Sequence, residues 1–123
     1  MTRTARPTLS VIRGSELPDA ELWWMYRREL VNFAGAESFE LRVVRRPGDA
    51  TPVLLKTTGI FGAAGTGMPS YGTPNIRIVW TADELSMAPG RYLAELTARF
   101  ATSKDRKMQF DLVVQPGAEP VAP

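Results

Sequence analysis

Apolar and polar side chains alternate through most of the chain, which predicts strands rather than helices. Tyr92, Ala94, Leu96, Ala98 and Phe100 interleave with Arg91, Glu95, Thr97 and Arg99, and Met108, Phe110, Leu112 and Val114 follow in the same rhythm. A period of two sends one set to a buried face and the other to solvent. The polar residues 102–106 between these runs read as a hairpin loop. Residues 39–43 alternate equally well and end in the turn signal Pro47-Gly48-Asp49. Shorter runs occupy residues 9–13, 22–27, 53–56 and 75–80. In the run 22–27, Leu22, Trp24 and Tyr26 share one face. Trp23 and Trp24 therefore point to opposite sides: one belongs to the core, the other to the surface or an interface. Trp80 continues the inward alternation of Ile76 and Ile78 and reads as core. A helix over residues 16–30 is the rival for that segment, but the adjacent Trp and Tyr favour a strand.

One helical signal remains. Thr81-Ala82-Asp83-Glu84 fits a capping box, with Thr81 as N-cap and Glu84 reaching back, and Pro89-Gly90 ends it. This predicts a short helical turn over residues 81–85. The chain thus carries about seven short strands separated by turn signals and has no helix long enough for parallel crossovers, the pattern of an all-β sandwich of antiparallel strands. The domain spans residues 9–115. A basic arm, residues 1–8, precedes it, and a Pro-rich tail, residues 116–123, follows.

Residues 58–74 break the rhythm. They hold Gly59, Gly62, Gly65, Gly67 and Gly72 together with Pro69 and Pro74. A stretch this long without its own structure is uncommon in a compact domain unless it has a task. Its Phe61, Met68 and Tyr71 are apolar anchors that a solvated linker does not need, so the plain reading of a long connecting loop stands beside that of an arm docking on a neighbouring subunit. With no Lys between residues 58 and 74, the glycines do not make a nucleotide-phosphate loop.

Composition narrows the chemistry. The chain has 123 residues, 44% hydrophobic and 23% charged, as in an ordinary single globular domain. It contains neither Cys nor His, which removes disulfides, thiolate metal sites and every His-based triad. The acidic pairs have plainer roles: Asp83 and Glu84 at a cap, Glu37 and Glu40 on a solvated strand face, Asp105 in a turn. No catalytic, cofactor-binding or metal-binding residue is assigned, and the expectation is a protein that is not an enzyme. A net charge of +2 is too small to argue for nucleic acid. The groups Arg27-Arg28, Arg42 with Arg45-Arg46, and Lys104 with Arg106-Lys107 read as solvated faces or guarded strand edges. Arg3, Arg6 and Arg13 interrupt any secretory signal, and no apolar run has membrane-spanning length. A soluble, cytoplasmically made chain is expected.

The order of features resembles a known family. It runs from a strand into Arg13-Gly14, through an aromatic strand, to Leu30-Val31-Asn32-Phe33-Ala34-Gly35-Ala36. Later come Pro74-Asn75-Ile76-Arg77-Ile78, Trp80-Thr81-Ala82-Asp83-Glu84-Leu85 and Ala88-Pro89-Gly90-Arg91-Tyr92. This resembles the small immunoglobulin-like β-sandwich domains of tailed-phage virion proteins, such as the amino-terminal domain of upper-baseplate proteins and the minor tail proteins of actinobacterial phages. The likeness covers residues 9–116, and its most specific part is residues 81–92. Ser15 stands where the family often has Asp, and Asn32-Phe33-Ala34 where it often has Asp-Leu-Thr.

The resemblance implies a single immunoglobulin-like sandwich and a structural role in a virion, with several copies per particle and other tail, baseplate or capsid subunits as partners. A minor tail or baseplate protein is the first expectation. A capsid decoration or head–tail connector protein is the alternative, and a carbohydrate- or receptor-binding module a further one. The candidate interface residues are Phe61, Met68, Tyr71, Trp23, Arg3 and Arg6. No cofactor, nucleic acid or membrane enters this reading.

Overall fold

The computed structural model describes residues 7–16, 18–26, 29–33, 35–62, 74–81, 83–101 and 104–117, with backbone alone at residues 26, 29 and 30. These residues form ten strands and no helix: β1 (Thr8–Ile12), β2 (Ala20–Leu22), β3 (Met25–Tyr26), β4 (Glu29–Leu30), β5 (Ala36–Val44), β6 (Leu54–Lys56), β7 (Ile60–Gly62), β8 (Ile76–Ile78), β9 (Gly90–Phe100) and β10 (Arg106–Gln115). The large sheet has the order β1-β10-β9-β5-β6, the small sheet β2-β8-β7, and β3 pairs with β4 alone. The fold is all-β and built on two main sheets, as the alternation predicts.

The best-read strands form the centre. The register sets Leu96 opposite Leu41 on one side and Met108 on the other, and Ala94 opposite Val43 and Phe110. Leu41, Leu96, Phe110 and Leu112 are fully buried and join Leu22, Ile60, Ile76 and Ile78 of the small sheet in one core cluster. Trp80 and Trp24 belong to that core, and Trp23 is exposed. The sheets are held together by apolar area removed from water, about 25 cal/mol per Å².

Four expectations are corrected. The pairing is not wholly antiparallel: β1 lies parallel to β10, with Thr8 opposite Asp111 and Ile12 opposite Gln115. Straight after β1 the chain passes to the small sheet, where β2 lies. The run at 22–27 is not one strand. β2 ends at Leu22, and β3 pairs antiparallel with β4, Met25 opposite Leu30 and Tyr26 opposite Glu29. Residues 60–62, placed in the loop by their composition, form β7.

The helical turn at 81–85 is absent. The Thr81 N–H does donate to Glu84 Oε1 at 2.7 Å, the contact the capping box calls for, and the Glu84 N–H reaches the Thr81 carbonyl at 3.3 Å. Asp83, however, takes φ 77°. A left-handed third position closes a tight turn and cannot propagate a right-handed helix.

Tyr92 enters β9 just past this turn. Its ring is buried, and its hydroxyl donates to the Ala88 carbonyl four residues upstream.

Candidate interaction surface

The two sheets turn very different faces to solvent. On the large sheet, outward charged residues of β5, β9 and β10 pair across strands, while Leu93, Val113 and the exposed Leu55 and Ile12 add apolar positions to the same face. Arg91 meets Asp111 at 2.9 Å, Arg99 meets Glu40 at 3.3 Å, and Glu95 accepts from Lys107 at 3.3 Å and from Gln109 at 3.1 Å. The register makes these contacts directly, since Glu95 sits opposite Gln109 and Asp111 is two positions from Arg91's partner Val113. Such a lattice of opposite charges is satisfied by itself and well solvated.

The small sheet is built otherwise. Its register lines up Glu21, Arg77 and Phe61 in one outward row across β2, β8 and β7. The Arg77 guanidinium lies over the Phe61 ring, 5.5 Å from its centroid, and its Nε is 3.8 Å from Asp19 Oδ2. Phe61 is 53% exposed, Trp23 41% and Met25 50%. Trp23 and Met25 continue the outward alternation begun at Glu21, with Leu22 and Trp24 buried between them. A shallow depression is lined by Glu21, Phe61, Gly62, Pro74, Asn75 and Arg77. Exposed large apolar side chains such as these, and the cation–π pair at Phe61, are features found at contact surfaces.

Two interior features fix this face. Asn75, 2% exposed, accepts from the Trp24 N–H at 2.7 Å and donates through Nδ2 to the carbonyls of Trp24 at 2.8 Å and Val31 at 3.0 Å. One side chain thus stands in for strand pairing where β2 has ended, and holds the backbone between Trp23 and Met25. At the other edge, Gly62 lies against Phe33 and Phe39; a Cβ there would come within 2.6 Å of Phe33 Cβ. The missing side chain lets β7 close onto the aromatic cluster, where the Phe33 ring lies 5.2 Å from Trp24 and 5.6 Å from Phe39. With Gly62 pressed inward, Phe61 points out.

Of the residues singled out from sequence, Trp23 and Phe61 both fall on the outward side of the small sheet. Met68, Tyr71, Arg3 and Arg6 lie outside the described residues. Met25, Arg77 and Asn75 were missed. Met25 was within reach, because it continues the spacing of Glu21 and Trp23. Nothing near Asn75 signals its role, since its partners are 44 and 51 positions away.

A second missed feature ties the large sheet to the turn after β8. Lys56, 2% exposed, donates to both carboxylate oxygens of Glu84, at 2.8 and 3.0 Å. Gly59, at φ 73°, passes directly over the ammonium; a Cβ there would be 3.0 Å from both Lys56 Nζ and the Val79 carbonyl. Partial burial pushes the Glu84 pKa up. Hydrogen bonds from Lys56 and Thr81 more than offset this and hold the carboxyl below its ordinary value.

Among the described residues no three acidic side chains converge to hold a metal ion, and no helix is long and apolar enough to cross a membrane. Comparison with protein families, curated proteins and solved structures found no match to this chain.

Proposed function

We propose that this chain is a non-enzymatic structural protein of a tailed-phage virion, an immunoglobulin-like module that docks through the outer face of its small sheet on neighbouring tail or baseplate subunits. The observation that carries the docking reading is the exposure of Trp23, Met25 and Phe61, with the Arg77 guanidinium lying over the Phe61 ring.

Three observations support the immunoglobulin-like reading. A first strand parallel to the last, on a sheet facing a three-stranded partner, matches the strand order of variable-type immunoglobulin sandwiches. The Tyr92 hydroxyl bonded to the Ala88 carbonyl matches the tyrosine corner of such domains. Ala94, two residues later and fully buried, occupies the place where antibody domains carry a cysteine. The virion assignment rests on the resemblance over residues 9–116.

Immunogold labelling of intact particles from a lysate that produces the chain tests the proposal. Label at the tail or its tip is the expected result. Label over the head would replace it with the capsid-decoration alternative, and no label on particles would contradict a virion role. A carbohydrate-binding reading has the depression beside Phe61, Glu21 and Arg77 in its favour. Binding on a glycan array that is lost in Phe61→Ser would establish it instead.

A further inference from the structure

From the free edge of the large sheet we infer that two copies of this chain pair through β1, antiparallel about a two-fold axis at Ser10, to form one continuous ten-stranded sheet. The inference does not rest on the virion reading.

β1 has a strand neighbour on one side only among the described residues. The Asp111 N–H donates to the Pro7 carbonyl, and the Arg13 N–H to the Gln115 carbonyl, both at 2.9 Å. Odd-numbered residues of this segment therefore face β10. Backbone groups alternate sides along a strand, so Thr8, Ser10 and Ile12 turn their N–H and C=O groups away from the sheet. Such an edge is a template for another strand. The other outer strands, β2, β6 and β7, are three residues each, against five in β1. Residues 8–12 themselves hold no charge and no Pro, two of the devices that guard an edge.

The strand that fits this edge best is a copy of itself. A two-fold axis at Ser10 sets Ser10 against Ser10 of the second copy and Thr8 against the other Ile12, each an outward-turned residue matched to an outward-turned residue. Every pair can exchange two N–H to carbonyl bonds. The side chains match as well. Thr8, Ser10 and exposed Ile12 meet on the outer face. Half-buried Leu9 and Val11, which pack on the core, meet Val11 and Leu9 of the second copy on the inner face. Beside them lies a mostly apolar cavity of about 160 Å³, lined by Leu9, Val11, Trp80 and Leu85 and closed by Ser15 and Asp19. A second strand extends its roof. β1 itself brings no charged side chain to the seam.

Cysteine substitution reads the register directly, because the chain has no Cys of its own. In the paired state the two residues at position 10 lie about 5.5 Å apart at Cα, within the disulfide range of about 4.4–6.8 Å. Those at position 8 lie about 14 Å apart. Ser10→Cys is expected to form a covalent dimer under mild oxidation, and Thr8→Cys to stay monomeric. In the unmodified chain, sedimentation should show a concentration-dependent dimer. Ser10→Pro removes an N–H that the monomer's own sheet does not use and should weaken the dimer at least about tenfold, the direction expected for proline on an edge, with circular dichroism unchanged. A chain that stays monomeric at all accessible concentrations would overturn the inference. So would equal cross-linking at positions 8 and 10, or a dimer indifferent to Ser10→Pro in a folded variant.

Discussion

The large and small sheets share one core and differ on their outer faces. The large sheet carries charges matched across strands, Arg99 with Glu40, Arg91 with Asp111 and Lys107 with Glu95, interspersed with outward Leu93 and Val113 and exposed Leu55 and Ile12. On the other side Phe61 of β7 is exposed beneath Arg77, and Trp23 and Met25 are exposed just past β2. A face that satisfies its own charges gains little from a partner, because every contact must first break a solvated pair. An apolar face gains from each Å² it covers. The difference shows which side chains would gain most free energy from being covered by a partner.

The comparison can be broken first in the shared core. Leu96 is fully buried between Leu41 and Met108, and Leu96→Ala should cost about 2–5 kcal/mol in denaturant unfolding. A loss below about 1 kcal/mol would mean that the inward face of β9, and with it both outward faces, is misassigned.

Next comes the link between the large sheet and the turn at Glu84. Glu84→Gln leaves the Lys56 ammonium buried without its counter-charge and should cost about 3 kcal/mol, while Lys56→Met in the same background should recover part of the loss. The same pair makes stability depend on acid. Because Glu84's folded-state pKa lies below its unfolded value, its contribution is complete above the unfolded value. It is lost as pH falls through the lower, folded one. Urea midpoints measured through the acid range should therefore fall less steeply in the double variant than in the wild type.

Asn75→Ala sharpens the contrast from the small-sheet side. It strips partners from buried backbone groups at Trp24 and Val31 and should cost about 2 kcal/mol. Hydrogen exchange at the Trp24 amide should rise with it. Smallest of all is Arg99→Ala. Its pair with Glu40 is exposed, and a change within about 0.5 kcal/mol is expected; a larger loss would show the charged lattice to be structural rather than a solvated coat.

How much of this was legible in the sequence follows from the range of the forces involved. The faces of β9 and β10 could be read residue by residue, because a period of two over ten positions leaves one solution. That Trp23 and Trp24 part to opposite sides follows from the same rule, though which is buried does not. At Thr81-Glu84 the side-chain contact was legible and the helix was not, because Asp83's left-handed backbone turns the chain first. Lys56 with Glu84, and Asn75 with Trp24 and Val31, were illegible. Each partner lies 28 or more positions away, and no local pattern records a meeting that only the folded sheets bring about. β7 was hidden by its glycine, which composition assigns to a loop and packing against Phe33 assigns to a strand.

Oxidative footprinting of the free chain against the chain in assembled particles tests the central claim most directly, since Trp, Met and Phe are readily labelled where exposed. The account predicts that Trp23, Met25 and Phe61 lose most of their labelling on assembly, while Leu55, exposed on the large sheet and also open to hydroxyl radicals, keeps its own. Protection of Leu55 with Trp23 and Phe61 still labelled would place the docking surface on the other sheet and contradict it.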